Sequence, residues 1–299
     1  MKKAGWIYLL LAFGVPSPAF AQEVEQENKA GIVVGDVFLQ TGFVSGGANQ
    51  ENLEDFRSLA PESDLLKSRT WDAAENFRNP ARIKGIFSVQ VGVRFNDKEK
   101  SKLKSNPLLR LGATYFAGTV FRAGFEQSDL KSSDTLISGQ TGQQIFIDSV
   151  TQSDINMKYR TEQIRFDVSL LFQTNRQARW SLYGGFGITA GISINAQTMI
   201  NLKEYGSTEI KYSDGSSSTH SYFSEKLNKE TFRNKSNTAF SFYIPLGVDF
   251  RIGRRNEFWK KTHLFYEMRP GIELTNIPEL GNFSNGSFQN GFGLKVSWN

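Results

Sequence analysis

The chain has 299 residues, no cysteine, and 35 Lys and Arg against 30 Asp and Glu, a formal net charge of +5. The missing thiols exclude disulfides and a lipid-modified N-terminal cysteine, so packing and backbone pairing have to hold the fold. A modest basic excess does not argue for nucleic acid, and no stretch past the leader approaches the roughly 18 apolar residues a helical membrane span needs.

Lys2 and Lys3 open the chain, an apolar run covers 6–15, and Ala19-Phe20-Ala21 follows. That order of charged, apolar and small residues is that of a secretory signal peptide. Residues 1–21 are therefore expected to be removed after Ala21, leaving 22–299 as the exported domain. The apolar run is too short to anchor the chain as a helix. Export makes a nucleic-acid partner less plausible still.

The first expected strand is 31–44, with Val33, Val37, Leu39 and Phe43 on one face and Asp36 and Gln40 on the other. A connection of about 40 residues follows. Within it, 52–59 reads as a short helix ending before Pro61. The next strand, 85–96, carries the clearest alternation in the chain. Phe87, Val89, Val91, Val93 and Phe95 share one face, and Ser88, Gln90, Gly92 and Arg94 the other. A strand alternates its side chains, so one face is wholly apolar and is rimmed by rings at both ends. That suits a hydrocarbon slab with two aqueous borders.

Lys98, Lys100, Lys102 and Lys104 mark a connection to a strand over 108–121, and a polar segment covers 126–157. Strands at 159–173 and 180–195 are joined by 174–179. The first of them sets Ile164, Phe166, Val168, Leu170 and Phe172 against Gln163, Arg165, Asp167 and Ser169. A polar segment at 197–237 holds the turn signal Asp214-Gly215, and the strands flanking it are expected to continue outward as a protruding ribbon. Strands follow at 238–252, 263–274 and the C-terminus, where Phe292, Leu294, Val296 and Trp298 alternate with Gly291, Gly293, Lys295 and Ser297. Pro245 and Pro270 lie inside two of these runs. Each removes a ladder hydrogen bond, so a bulge or local break is expected at both.

The connections alternate long and short. This predicts an all-β fold: an antiparallel up-and-down transmembrane β-barrel of about eight strands, with long extracellular loops and short periplasmic turns. Phe95, Phe172, Trp180, Phe250 and Trp298 then form a periplasmic aromatic girdle, and Phe43, Phe87 and Phe240 an outer one. The rival is a soluble barrel of lipocalin type, with its apolar face inward. The loop rhythm, the aromatic rims and the charge on the opposite face weigh against it.

The layout is similar to that of the small outer-membrane β-barrel proteins of the OmpA and OmpX type. The segments 55–63 (DFRSLAPES) and 179–187 (RWSLYGGFG) resemble uncharacterised outer-membrane barrels of Bacteroidota. The resemblance implies the cell outer membrane, contact with its lipid, and insertion by the barrel-assembly machinery acting on the terminal strand. That strand departs from the usual pattern in ending with Asn299 after Trp298.

The inward face is expected to hold Asp36, Arg94, Arg110, Arg165, Asp167, Asp249, Arg251, Glu267, Arg269, Glu273 and Lys295. Eight strands leave an interior just wide enough for side chains, so these charges must pair or keep water. A structural salt-bridge plug is the plainer expectation, and a narrow gated channel for ions or small solutes the alternative. An outer-membrane lipid-modifying enzyme or protease is a third. It would have to use His220 with Ser221, since His263 falls near a periplasmic turn. Neighbours on a strand face opposite ways, which makes that pair weak.

No phosphate loop, zinc cluster or EF-hand spacing occurs, and no cofactor is expected. Glu54, Asp55, Glu62 and Asp64 could attract Ca²⁺, but solvated loop charge explains them more simply. Tyr205, Tyr212, Tyr222 and Phe223 sit among Ser, Asn and Gly in the third outer segment, a mixture that suits an extracellular partner. The expected function is non-enzymatic, structural or interaction-based, at the cell surface.

Overall fold

A computed structural model describes residues 31–46, 52–67, 82–96, 107–140, 142–174, 178–212, 215–253 and 256–298. The expected signal peptide and its cleavage point lie outside the described residues. In chain order the elements are β1 (Gly31–Gly46), α1 (Leu53–Leu59), α2 (Asp64–Lys67), β2 (Arg82–Asn96), β3 (Leu108–Ile137), β4 (Gln144–Gln173), β5 (Trp180–Tyr212), β6 (Ser217–Arg233), β7 (Thr238–Tyr243), β8 (Leu246–Arg251), α3 (Glu257–Lys261), β9 (Thr262–Ile277) and β10 (Gly281–Ser297).

Each strand pairs antiparallel with its neighbour, and β10 returns to β1, from Asp36 opposite Ser297 to Gly46 opposite Ser287. The sheet therefore closes. Its ten strands make eight staves, because β6, β7 and β8 are successive pieces of one descending line along β5. An even-numbered, closed meander removes the open edges that a sheet of this size would otherwise expose.

The two prolines explain the cut in the sixth stave. Gly185 N donates to Pro245 O at 3.0 Å, and Ile244 N donates to Pro270 O at 2.9 Å. Neither proline has an N–H to donate back, so two ladder bonds are lost at one spot. The break falls between β7 and β8, as expected for Pro245. Register is kept across it, since Tyr243 faces Gly271 and Leu246 faces Met268. At Pro270 the expected interruption is absent: β9 runs on, because its missing donor faces the gap that Pro245 already made.

The long polar connections differ from expectation. Segment 126–157 is not a loop: β3 and β4 continue as strands to a tight turn, where Ser138 N donates to Gln143 O at 2.9 Å and Gly142 takes a φ of 66°. β5 and β6 extend the same way, as the Asp214-Gly215 ribbon predicts. Residues 275–289, between the expected strand 263–274 and the C-terminal strand, are the top of the β9–β10 hairpin. The result is a four-stranded sheet, β3–β4–β5–β6, standing above one side of the ring. Both faces of its tip meet water, so no apolar alternation marked it in the sequence.

The outward face of the ring is apolar. Leu39, Val89, Ile164, Phe166, Leu182, Phe186, Ile188, Ile192, Phe242, Leu264, Ile272, Phe292 and Leu294 are all exposed there. Of the predicted girdles, Phe43 and Phe87 are exposed near the long-stave end, with Phe240 beside Phe242 at 4.6 Å between ring centres. At the short-turn end Phe172, Trp180 and Trp298 are exposed, and Trp180 lies 4.4 Å from Phe250. The Phe95 side chain is outside the described residues.

Candidate functional site

The inward face holds a stack of charged layers. Near the short turns, Ser297 donates to Asp36 and Arg94 pairs with the same carboxylate. Beside them, Asp249 accepts from Lys295, meets His263 Nδ1 at 2.7 Å and receives Gln173 Nε2 at 3.1 Å.

The middle layer crosses the ring. Arg110 on β3 clamps Glu267 on β9 through both terminal nitrogens, at 2.9 and 3.0 Å. These strands are four staves apart in either direction, so the pair spans the full width of the barrel. Arg269 binds Glu267 on its own strand, Asp167 at 2.9 Å and Gln40 at 2.9 Å. Asp167 also accepts from Tyr243 and from Gln90 at 2.7 Å. Arg110, Arg165, Asp167, Glu267 and Arg269 are all essentially without solvent contact. Charges so deeply buried are sustained only by such dense pairing.

The outer layer joins Lys84 on β2 and Arg165 on β4 to Glu273 on β9, at 2.8 and 3.0 Å. Arg165 Nε also binds Gln163 at 2.8 Å, and Gln163 Nε2 binds Asn237 at 2.8 Å. A cavity of about 30 Å³ lies beside this layer, lined by Lys84, Glu273, Phe121 and Phe283. That is room for at least one water.

Rings fill the space between layers. Arg165 lies 4.2 Å from the centre of Phe116, Arg269 4.8 Å from Tyr243 and Arg110 5.4 Å from Phe38, all within cation–π range. Two of the rings depend on glycine. Tyr243 stands opposite Gly187, and Tyr183 opposite Gly247. A Cβ on Gly187 would come within 2.4 Å of the Tyr243 ring, and one on Gly247 within 2.3 Å of Tyr183. The bare backbone lets Tyr243 lie flat and reach Asp167. Gly187→Ala is expected to cost about 1–3 kcal/mol by overpacking. Urea unfolding of the protein in detergent micelles would measure it, and a change below about 0.5 kcal/mol would contradict the tight fit.

Above the charged layers the mouth is closed by apolar packing. α1 begins with a capping box, in which Asp55 N donates to Asn52 at 2.8 Å and Asn52 N to Asp55 at 3.0 Å. It ends before Pro61, as the sequence indicates. Phe56, Leu59, Ala60 and Leu66 of α1, α2 and the link between them pack against Phe121, Phe125, Ile155, Met157, Ile200, Leu202 and Ile277. Asn234 Nδ2 donates to Leu59 O at 2.6 Å, and Ser63 donates to Glu230. The first connection thus forms a cap seated between β9 and the base of the projecting sheet.

Every residue of the predicted inward network lies on that face. Arg94 and Arg251 are half-buried and the other nine are buried. Gln40 and Gln90, placed on the polar face by the sequence, join the network, and sequence reasoning missed Lys84 and Tyr243, whose strand parity also points inward. His263 lies beside the short β8–β9 turn, as expected, but its pairing with Asp249 inside the barrel was not foreseen. Ile155 and Met157 were hidden in a segment read as a polar loop. His220 lies in β6 with its backbone opposite Thr208, and Ser221 opposite Ser207; their side chains are outside the described residues.

Tyr205 and Tyr212 are half-exposed on β5, in the sheet rather than on loops. Glu54 pairs with Arg57, and Asp55 is spent on the helix cap. On the projecting sheet, Asp148 accepts from Lys211 at 3.1 Å, and this bond raises the Lys211 pKa. At the short-turn end, Lys260 bound to Glu257 lowers the pKa of that carboxyl.

A closed antiparallel ring with an apolar exterior and a charged, paired interior defines the class: a transmembrane β-barrel. No known family profile matches the chain, and no curated protein matches it in sequence. Among solved structures, the chain is similar to Neisserial surface protein A, at 11% identity, with 90% of this chain and 99% of that one covered and a TM-score of 0.32. It is also similar to Ail, the attachment invasion locus protein of Yersinia pestis, at 12% identity, with 88% and 100% covered and a TM-score of 0.26. The class rests on the strand ladder of this chain and not on those scores.

Proposed function

We propose that this protein is an outer-membrane β-barrel with a sealed lumen, and that it acts at the cell surface through its projecting sheet, without catalysis. The observation that carries the sealed lumen is the Arg110–Glu267 clamp across the full ring. The cap of α1 and α2 closes the mouth above it. Ions would have to displace both. Purified protein in planar bilayers is expected to show no steady conductance, and reproducible channel steps would overturn this reading. Membrane residence is tested by fractionation: a faster-migrating unheated band in the outer-membrane fraction supports it, and recovery in the soluble periplasm refutes it.

The surface role is supported by the edges of the projecting sheet. β2 stops pairing at Lys84 opposite Gly118, and β6 pairs only with β5. Among the described residues, the far edges of β3 and β6 therefore have no strand beside them. Such edges present free backbone donors and acceptors, which an extended segment of another molecule can pair with. Insertion would follow recognition of the terminal strand by the barrel-assembly machinery. The segments 55–63 and 179–187 would place the protein with barrels of Bacteroidota.

A further inference from the structure

Inside this barrel the charges are densely paired, but just above its apolar belt a group of cations is not. On β4 the outward face changes abruptly. Ile164, Phe166, Val168, Leu170 and Phe172 give way to Glu162, Arg160 and Lys158. Lys158 stands directly opposite Arg122 of β3. One rung nearer the membrane, Arg160 pairs with Gln197, and Gln197 with Arg233 of β6. One rung further out, Asn156 pairs with Asn201, and Asn201 with Lys229. The five cations share the outward face and are exposed or half-exposed.

Like charges placed directly opposite across a sheet destabilise it. Here Arg122 and Lys158 do so without compensation. Among the described residues, none of the five has a carboxylate within ion-pair distance. The outward acids lie at the margins of the patch. Glu162 stands one rung below Arg160, and Asp154 and Glu126 stand two rungs above Lys158.

Height and spacing select the counter-charge. Arg160 and Lys158 lie four and six residues past Ile164. At ~3.3 Å per residue and ~40° of tilt, that is roughly 10 and 15 Å above the last hydrophobe. Long basic side chains reach back toward a headgroup layer of roughly 5–8 Å. Arg122, Lys158 and Arg160 form one cluster. Arg233 stands on the rung of Arg160, two strands away and so about 10 Å distant, and Lys229 lies ~13 Å further out along β6. A single phosphodiester engages Arg122, Lys158 and Arg160, whereas an elongated sugar headgroup with a phosphate at each end reaches Arg233 as well.

We infer that this band binds the headgroup of a phosphorylated glycolipid in the leaflet beneath the projecting sheet. The inference rests on the membrane reading above. The test uses the full-length protein in non-ionic detergent, titrated with bis-phosphorylated lipid A by microscale thermophoresis. R122Q/K158Q/R160Q is expected to weaken binding at least about tenfold, the worth of one charge-assisted hydrogen bond. Lipid A stripped of both phosphates is expected to bind the wild type with a similar loss, and added NaCl to weaken only the wild-type interaction. Equal affinity of variant and wild type, or indifference to the phosphates, would overturn the site. The three side chains face outward, so the variant keeps its heat-modifiable migration. Flotation of both proteins with phosphatidylcholine vesicles separates the two failures: a wild type that does not float overturns the membrane reading itself.

Discussion

Glu267→Ala lowers the stability of the folded barrel by about 3–5 kcal/mol, the usual penalty for removing one partner of a buried ion pair. Glu267 is fully buried and is shared by Arg110 and Arg269. Without it, two guanidiniums face each other in an interior that has no room to hydrate them. Arg269 keeps Asp167 and Gln40, but among the described residues Arg110 keeps a single hydrogen-bond partner, Ser169 at 3.0 Å. Urea midpoints in detergent micelles, read by loss of heat-modifiable migration, give the number. The paired replacement Arg110→Met with Glu267→Leu is expected to recover most of the loss, since it removes both charges and retains volume. A loss under about 1 kcal/mol from Glu267→Ala alone would mean that the layer is wet, and the sealed-lumen reading would fall with it.

Phe56→Ala releases the cap and leaves the barrel standing. Phe56 is fully buried at the centre of the outer apolar cluster, and deleting such a ring costs about 3–5 kcal/mol. The cap is otherwise tied to the barrel at few polar points, Leu59 to Asn234 and Ser63 to Glu230 among them. Limited proteolysis is the direct readout. The variant is expected to be cut within 52–67 at protease levels that spare the wild type there, with its heat-modifiable migration unchanged. Loss of that migration as well would show that the cap is part of the folding core and not a separable cover. Because the charged layers lie below the cap, this variant alone is expected to stay non-conducting. Channel activity from Phe56→Ala would assign the seal to the cap.

The readable part of this protein was the part with two different solvents on its two faces. Phe87 to Phe95 alternates because one face meets the apolar exterior and the other a crowded polar interior, and each residue's side follows from counting by two. Strand parity was enough to place Arg110, Asp167, Glu267 and Arg269 on the inner face. The same counting, carried three residues before the expected strand start at 85, reaches Lys84, because β2 begins at Arg82. It failed where the chemistry of the two faces is alike. Along 126–157 the outer part of the ribbon is wetted on both sides, so the strands of that stretch left no periodic mark. Ile155 and Met157 are too few to announce themselves.

The sequence by itself determined most of the staves, the apolar exterior, the short helix before Pro61 and most of the inward charges. These are local properties, set by alternation, turn residues and the missing N–H of proline. Only the tertiary structure decided which charges meet. Arg110 finds Glu267 157 positions away, on the opposite wall. That pairing depends on how the ring closes and how its strands are staggered, which no local pattern records. Closure also turned one polar connection into a cap and four polar strands into a projecting sheet. The cap rests on contacts between segments far apart in the chain, and the sheet on the pairing of β4 with β5, which joins two hairpins side by side.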